Sequence, residues 1–204
     1  MDRAEFLRSY WRYYLTLEKR FIHTLNYVTL DVANYGTYSN EYASLLQGIG
    51  AELDSFFKVY CGFNLEEEKT IADYIGIVLS DYPDIKNQEI VLCTSASIKP
   101  FKDWKVNAPA QSLKWWDAYN KIKHSRAINS KKASQGNVLK ALAALYLLEM
   151  KYLKRIAATD KCIDIPDEQS ALFTVKGWDY AYFSAKDWIL PKEGDDVIID
   201  AGTA

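Results

Sequence analysis

Cysteine is scarce in this 204-residue chain. The three present, Cys61, Cys93 and Cys162, are far apart, odd in number and never spaced as a CxxC pair. A disulfide framework and a zinc site are therefore not expected, and reduced, mostly buried thiols are. No other residue pattern calls for a metal or a cofactor. Proline (5) and glycine (9) are also few, which argues for helices over an all-β meander. Neither sign of charge dominates, since 25 Lys and Arg stand against 27 Asp and Glu for a formal charge of -2. A whole-protein positive field for nucleic acid is excluded, and only a local basic patch is left open. Long apolar runs are missing. The longest, Ala141 to Leu148, is far too short to span a bilayer. Met1 to Arg8 is charged and lacks a hydrophobic stretch, so no signal peptide is expected. The reading is a cytoplasmic protein without a membrane partner. Aromatics, in contrast, are abundant, with 15 Tyr, 8 Phe and 6 Trp. That excludes disorder and promises large buried side chains.

The length suits one domain over 1–204. Residues 3–30 carry Phe6, Tyr10, Tyr13, Tyr14, Leu17, Phe21, Leu25 and Val28 in steps of three and four, one face of a long helix. Tyr42, Leu45, Leu46, Ile49, Leu53, Phe56 and Tyr60 predict a second helix over 41–61, with Gly62 as its stop. Gly48 and Gly50 weaken that helix, and close approach of another backbone would compensate. Asn64 and Glu67 have capping-box spacing and predict a third helix from Asn64 to Pro83. A fourth covers 112–124. The last, over 135–158, is apolar nearly all round and belongs in the middle of a bundle. Residues 84–111 read as an inserted strand and loop, and 159–204 as an aromatic cap and tail. The fold class is mainly α, a bundle of four or five helices with a small β element from about 88–93 and 171–183. Over 171–183, Ala171 to Val175, Trp178, Tyr180, Tyr182 and Phe183 fit either strands or an irregular cap.

Chemistry concentrates on the fourth helix, Leu113 to Arg126. Asp117, Asn120 and His124 stack at i, i+3 and i+7, next to Lys123 and with Arg126 just beyond. RNA cleavage by 2′-hydroxyl attack needs a base that titrates near neutrality and cations for the charged phosphorane. His124 supplies the first, and Asn120 can position it or a phosphate. The same residues also serve structure: His124 suits a helix C-terminus, and Asn120 can satisfy a neighbouring carbonyl. His23 lies off its helix's apolar stripe and reads as a surface residue. In the loop, Phe101 and Trp104 either pin the chain to the bundle or form a lid over a small-molecule site.

The stretch Tyr119-Asn120-Lys-Ile-Lys-His124, followed by a polar loop and the apolar helix Asn137 to Leu148, resembles HEPN domains (higher eukaryotes and prokaryotes nucleotide-binding). The resemblance covers roughly residues 3–158. It implies a small all-α bundle that commonly forms a homodimer. It also implies a metal-independent ribonuclease of a bacterial defence, toxin–antitoxin or RNA-processing system, or a member that binds without cleaving. The family motif is an Arg, a polar residue that is often Asn, three further residues and a His. Asn120 and His124 match; Tyr119 stands where the Arg belongs. Tyrosine cannot supply the positive charge that this Arg brings to the scissile phosphate. The expected function is therefore an HEPN-like binding or assembly module without normal nuclease activity. An active ribonuclease with His124 as base is the first alternative, and a small-molecule-binding bundle the second. Lys114, Lys121, Lys123, Arg126, Lys131 and Lys132 form the basic patch that keeps RNA, a nucleotide or a protein partner in view.

Overall fold

The computed structural model describes residues 1–178. The helices are α1 (Arg3–Phe6), α2 (Arg12–Thr24), α3 (Asn40–Cys61), α4 (Ile71–Asp81), α5 (Pro109–Ser112), α6 (Lys114–Asn129) and α7 (Gln135–Asp160). Three short strands, β1 (Ile90–Leu92), β2 (Ser97–Ile98) and β3 (Phe173–Val175), form an antiparallel sheet of order β2-β1-β3. The architecture is thus mainly helical with one small sheet. No helix among the described residues is long and apolar enough to cross a membrane.

The centre is α7. Every residue from Ala141 to Met150 is buried, as expected of a helix that is apolar nearly all round. It packs chiefly against α3, with α2 and α6 on its flanks. The bounds of α3 follow the apolar period closely. Ser39 accepts the Tyr42 N–H at its start, and Gly62 closes it at φ 76°, in the left-handed region that glycine enters freely.

The first helix departs from the expected single run. Between α1 and α2, Leu7–Trp11 is a π-helical turn. A π turn inserts one residue, so the buried face advances from Phe6 to Trp11. Tyr13, which an unbroken α period places on the stripe, is 44% exposed instead. The helix also stops at Thr24 rather than near residue 30. There the Thr24 hydroxyl donates to the Phe21 carbonyl at 2.6 Å and Leu25 N–H tightens onto Ile22 O.

The helix expected from Asn64 begins only at Ile71. The reciprocal bonds at Asn64 exist: Asn64 N–H donates to the Glu67 carboxylate, and Glu66 N–H to Asn64 Oδ1. They close a turn and no helix, because Leu65 to Lys69 offer the core no apolar face. The true start is Thr70, whose N–H and hydroxyl both donate to the Asp73 carboxylate.

In the sheet, Ile90 pairs with Val175 and Leu92 with Phe173, all four side chains buried. Of the two forms the sequence left open for the C-terminal aromatic segment, strand or irregular cap, residues 173–175 take the strand and pair with β1. Strand β2 is an addition. Tyr180, Tyr182 and Phe183 lie outside the described residues. The segment leading into β3 is held by Glu18, only 2% exposed. Its carboxylate accepts the Tyr14 hydroxyl at 2.5 Å, the Ala171 N–H at 3.0 Å and the Ser170 hydroxyl. A buried carboxylate with three donors has its hydrogen-bonding needs met.

Candidate nucleic-acid interface on helix α6

Helix α6 forms because Trp115, Trp116, Ala118, Tyr119 and Ile122 give it one face to bury. Asp117 in its first turn favours the helix dipole. The backbone breaks immediately after His124, where Ser125 takes φ -152° and ψ 60°. Asn129 Nδ2 donates to the Ser125 carbonyl at 2.9 Å and fixes the break.

Asp117, Asn120 and His124 all line one shallow cleft of about 280 Å³, together with Lys121, Ser125 and Asn129. The helical spacing thus brings the three to one face. The charges around them are arranged differently from the linear order. Asp117 is held by Lys121 at 2.8 Å and approached by Lys132 at 3.8 Å, so its carboxylate serves lysines and not His124. Lys123 turns to the other flank, 5.6 Å over the Tyr119 ring. Arg126 donates to Asn40 Oδ1 at 3.1 Å. His124 is exposed and makes no hydrogen bond or ion pair among the described residues, so no partner sets its tautomer.

Tyr119 decides what the motif position does. It is 4% exposed and lies on Gly50 of α3. A Cβ built at Gly50 would sit 2.2 Å from Tyr119 Cδ2. The glycine in α3 is thus compensated by an aromatic ring, not by the backbone that the sequence suggested. Burial, and then the Asp54 carboxylate, hold the Tyr119 phenol above its usual range. The position at which the resemblance would place an Arg is a core position.

No family model, curated protein or solved structure matches this chain.

The remaining candidates resolve by burial. Phe101 and Trp104 are fully buried, with their rings 5.2 Å apart and Trp104 against Phe57 at 5.9 Å. They pin the 84–111 insert to the core and offer no surface to a ligand. His23 is exposed, beside Tyr27. Among the described residues no group of three His, Cys, Asp or Glu is placed to hold a metal.

Two features escaped the sequence. A cleft of about 900 Å³ opens at the C-terminal ends of α3, α4 and α7. There the Arg155 guanidinium stacks over Tyr60 at 4.4 Å and Tyr152 at 4.9 Å, and the Tyr60 hydroxyl donates to Asp81. Burial pushes the neighbouring Cys61 thiol up to about 12, so it is no nucleophile near neutral pH. The only advance signal was the spacing of Tyr152 and Arg155 on one face of α7. The second feature is Glu149, fully buried in α7 with neither carboxylate oxygen hydrogen-bonded among the described residues. Its signal was a lone acid inside an apolar run.

Proposed function

We propose that this protein is an HEPN-like binding module that holds single-stranded RNA along α6 and the basic turn after it, without cleaving the strand. The observation that carries this reading is Tyr119 sealed on Gly50. Cleavage through the 2′-hydroxyl needs a cation at the phosphorane as well as a base. The motif position that would supply it is occupied by a buried phenol, and Lys121, the cation lining the cleft, is already held by Asp117. Binding needs less. Lys114, Lys121, Arg126 and Lys131 are exposed along α6 and the turn that follows, with Lys132 half-buried beside them and Lys123 exposed on the other flank. Lysines along a backbone track supply affinity by releasing counterions. Assembly as a homodimer, which the resemblance implies, accompanies the proposal.

The observation favouring an active ribonuclease is that Asn120 and His124 share a cleft. The two readings separate by experiment. Titration of labelled single-stranded RNA should show binding that weakens steeply with salt. Lys131→Gln with Lys132→Gln should lower the affinity and flatten the log–log salt slope by about 1.4, roughly 0.7 for each phosphate no longer neutralised. His124→Ala should leave both unchanged. Absence of binding at about 50 mM salt, or an unchanged slope in the double variant, would remove the RNA-binding reading.

A further inference from the structure

A third cleft, of about 480 Å³, lies between the first helical run and the 163–168 segment, away from α6. Three arginines line it: Arg3, Arg8 and Arg12. Arg3 is engaged by the facing segment. Its Nε donates to Ile163 O at 3.1 Å, and its Nη2 to Ile165 O at 2.7 Å and to Asp167 at 2.8 Å. The other acid on that wall, Glu168, is neutralised by Lys19 at 2.9 Å, and its backbone oxygen accepts the Trp11 indole N–H at 2.7 Å. The wall is therefore built and its negative charges are balanced.

Arg8 and Arg12 are not. Neither makes an ion pair or a side-chain hydrogen bond among the described residues. They lie one turn apart along the π turn and the start of α2, between Leu7 and Leu15. A π turn is rarer and poorer than the α turn it replaces, and it often marks a working site. Here it turns Trp11 into the core while the two guanidiniums stay on the cleft side.

We propose that this cleft binds an organic phosphate monoester of nucleotide size, with Arg8 and Arg12 on the phosphate and Leu7 and Leu15 under the body of the ligand. A guanidinium fork matches two phosphate oxygens, and two forks match a terminal phosphate, which offers three. A monoester carries close to two negative charges at neutral pH and an internal RNA diester one, so the terminal group is favoured. The volume of the cleft falls in the range of small-molecule sites. The same chemistry is presented by a free nucleotide and by the 5′-phosphate end of an RNA. The site is independent of the α6 reading and stands or falls separately.

Calorimetric titration of the full chain with AMP, adenosine and inorganic phosphate tests it, alongside a short RNA with and without a 5′-phosphate. AMP should bind and adenosine should not. Arg8→Gln with Arg12→Gln should weaken AMP by about tenfold or more, the loss of at least one charged hydrogen bond. Melting should not change, because both side chains are exposed and unpaired, and Lys131→Gln with Lys132→Gln should bind AMP normally. Tighter binding of the 5′-phosphorylated RNA than of its 5′-hydroxyl twin identifies an RNA end as the ligand. Equal binding of the two, with AMP still bound, identifies a free nucleotide. AMP no tighter than adenosine, or a double arginine variant that binds AMP like the wild type, overturns the proposal.

Discussion

Tyr119→Ala is expected to lower folding stability by about 3–5 kcal/mol, the range for removing a large buried aromatic. The ring lies on Gly50 and packs 5.4 Å from Trp116, so its loss opens a cavity between α3 and α6 that neither helix can close alone. Tyr119→Phe should cost far less, since the phenol is not hydrogen-bonded among the described residues. Gly50→Ala alone should also destabilise, because its new Cβ meets the ring. Combined with Tyr119→Ala, the same methyl enters the vacated space. The double variant should therefore be more stable than the sum of the singles, by about 0.5–3 kcal/mol. Urea denaturation of the four proteins measures the cycle. Additive losses, or a Tyr119→Ala cost under about 1 kcal/mol, would show that Tyr119 is not the core residue described here.

The second large effect concerns the acids between α3 and α7. Burial, and then the Glu52 carboxylate, hold Glu149 well above the ordinary carboxylate range. Burial lifts Glu52 itself from 4.5 to about 7. Tyr10, held up by its own burial, also feels Glu52, Tyr152, Glu5 and Glu149, so acids and phenols face one another from α1, the π turn, α3 and α7. A carboxyl whose folded pKa is raised keeps a proton that the unfolded chain has already released. Its contribution favours the fold below the unfolded value and is lost as pH rises toward the folded one. For Glu52 that window runs from 4.5 to about 7. It is worth about 1–2 kcal/mol after discounting for its partial exposure. Glu149 extends the decline to higher pH. Glu149→Gln, isosteric with the protonated acid, should match the wild type at the acidic end of the window and exceed it above neutrality. Glu149→Leu removes the unpaired polar group altogether and should stabilise by about 1–3 kcal/mol. Urea midpoints across that pH range decide the matter. Parallel curves for wild type and Glu149→Gln would mean that Glu149 does not carry this effect.

Much of the fold was legible in the chain, and for physical reasons. Helices α3 and α7 have long apolar periods and a definite stop or start, so their bounds fell within a few residues of the pattern. The stacking of Asp117, Asn120 and His124 followed from helical spacing alone, and all three line one cleft. The π turn had no such signature, since it depends on Trp11 finding a place under the 165–168 segment. The helix start at Asn64 misled because capping residues close a turn whether or not an apolar face follows. Lys123 and Arg126 could not be placed beside or away from His124 without knowing where Tyr119 and Asn40 lie. Helical spacing put Tyr119 with Trp115, Ala118 and Ile122 on a side of α6 that can bury, and it is buried; its partner Gly50 on α3, distant in sequence, was not legible.

The most direct test of the binding reading is one incubation. End-labelled single-stranded RNA is mixed with purified protein in EDTA at low salt, and resolved on native and denaturing gels, beside His124→Ala. Retarded but intact RNA in both proteins, with equal melting temperatures, is the expected outcome. Cleavage by the wild type that disappears in His124→Ala, at unchanged melting temperature, would contradict it and assign the histidine a catalytic role.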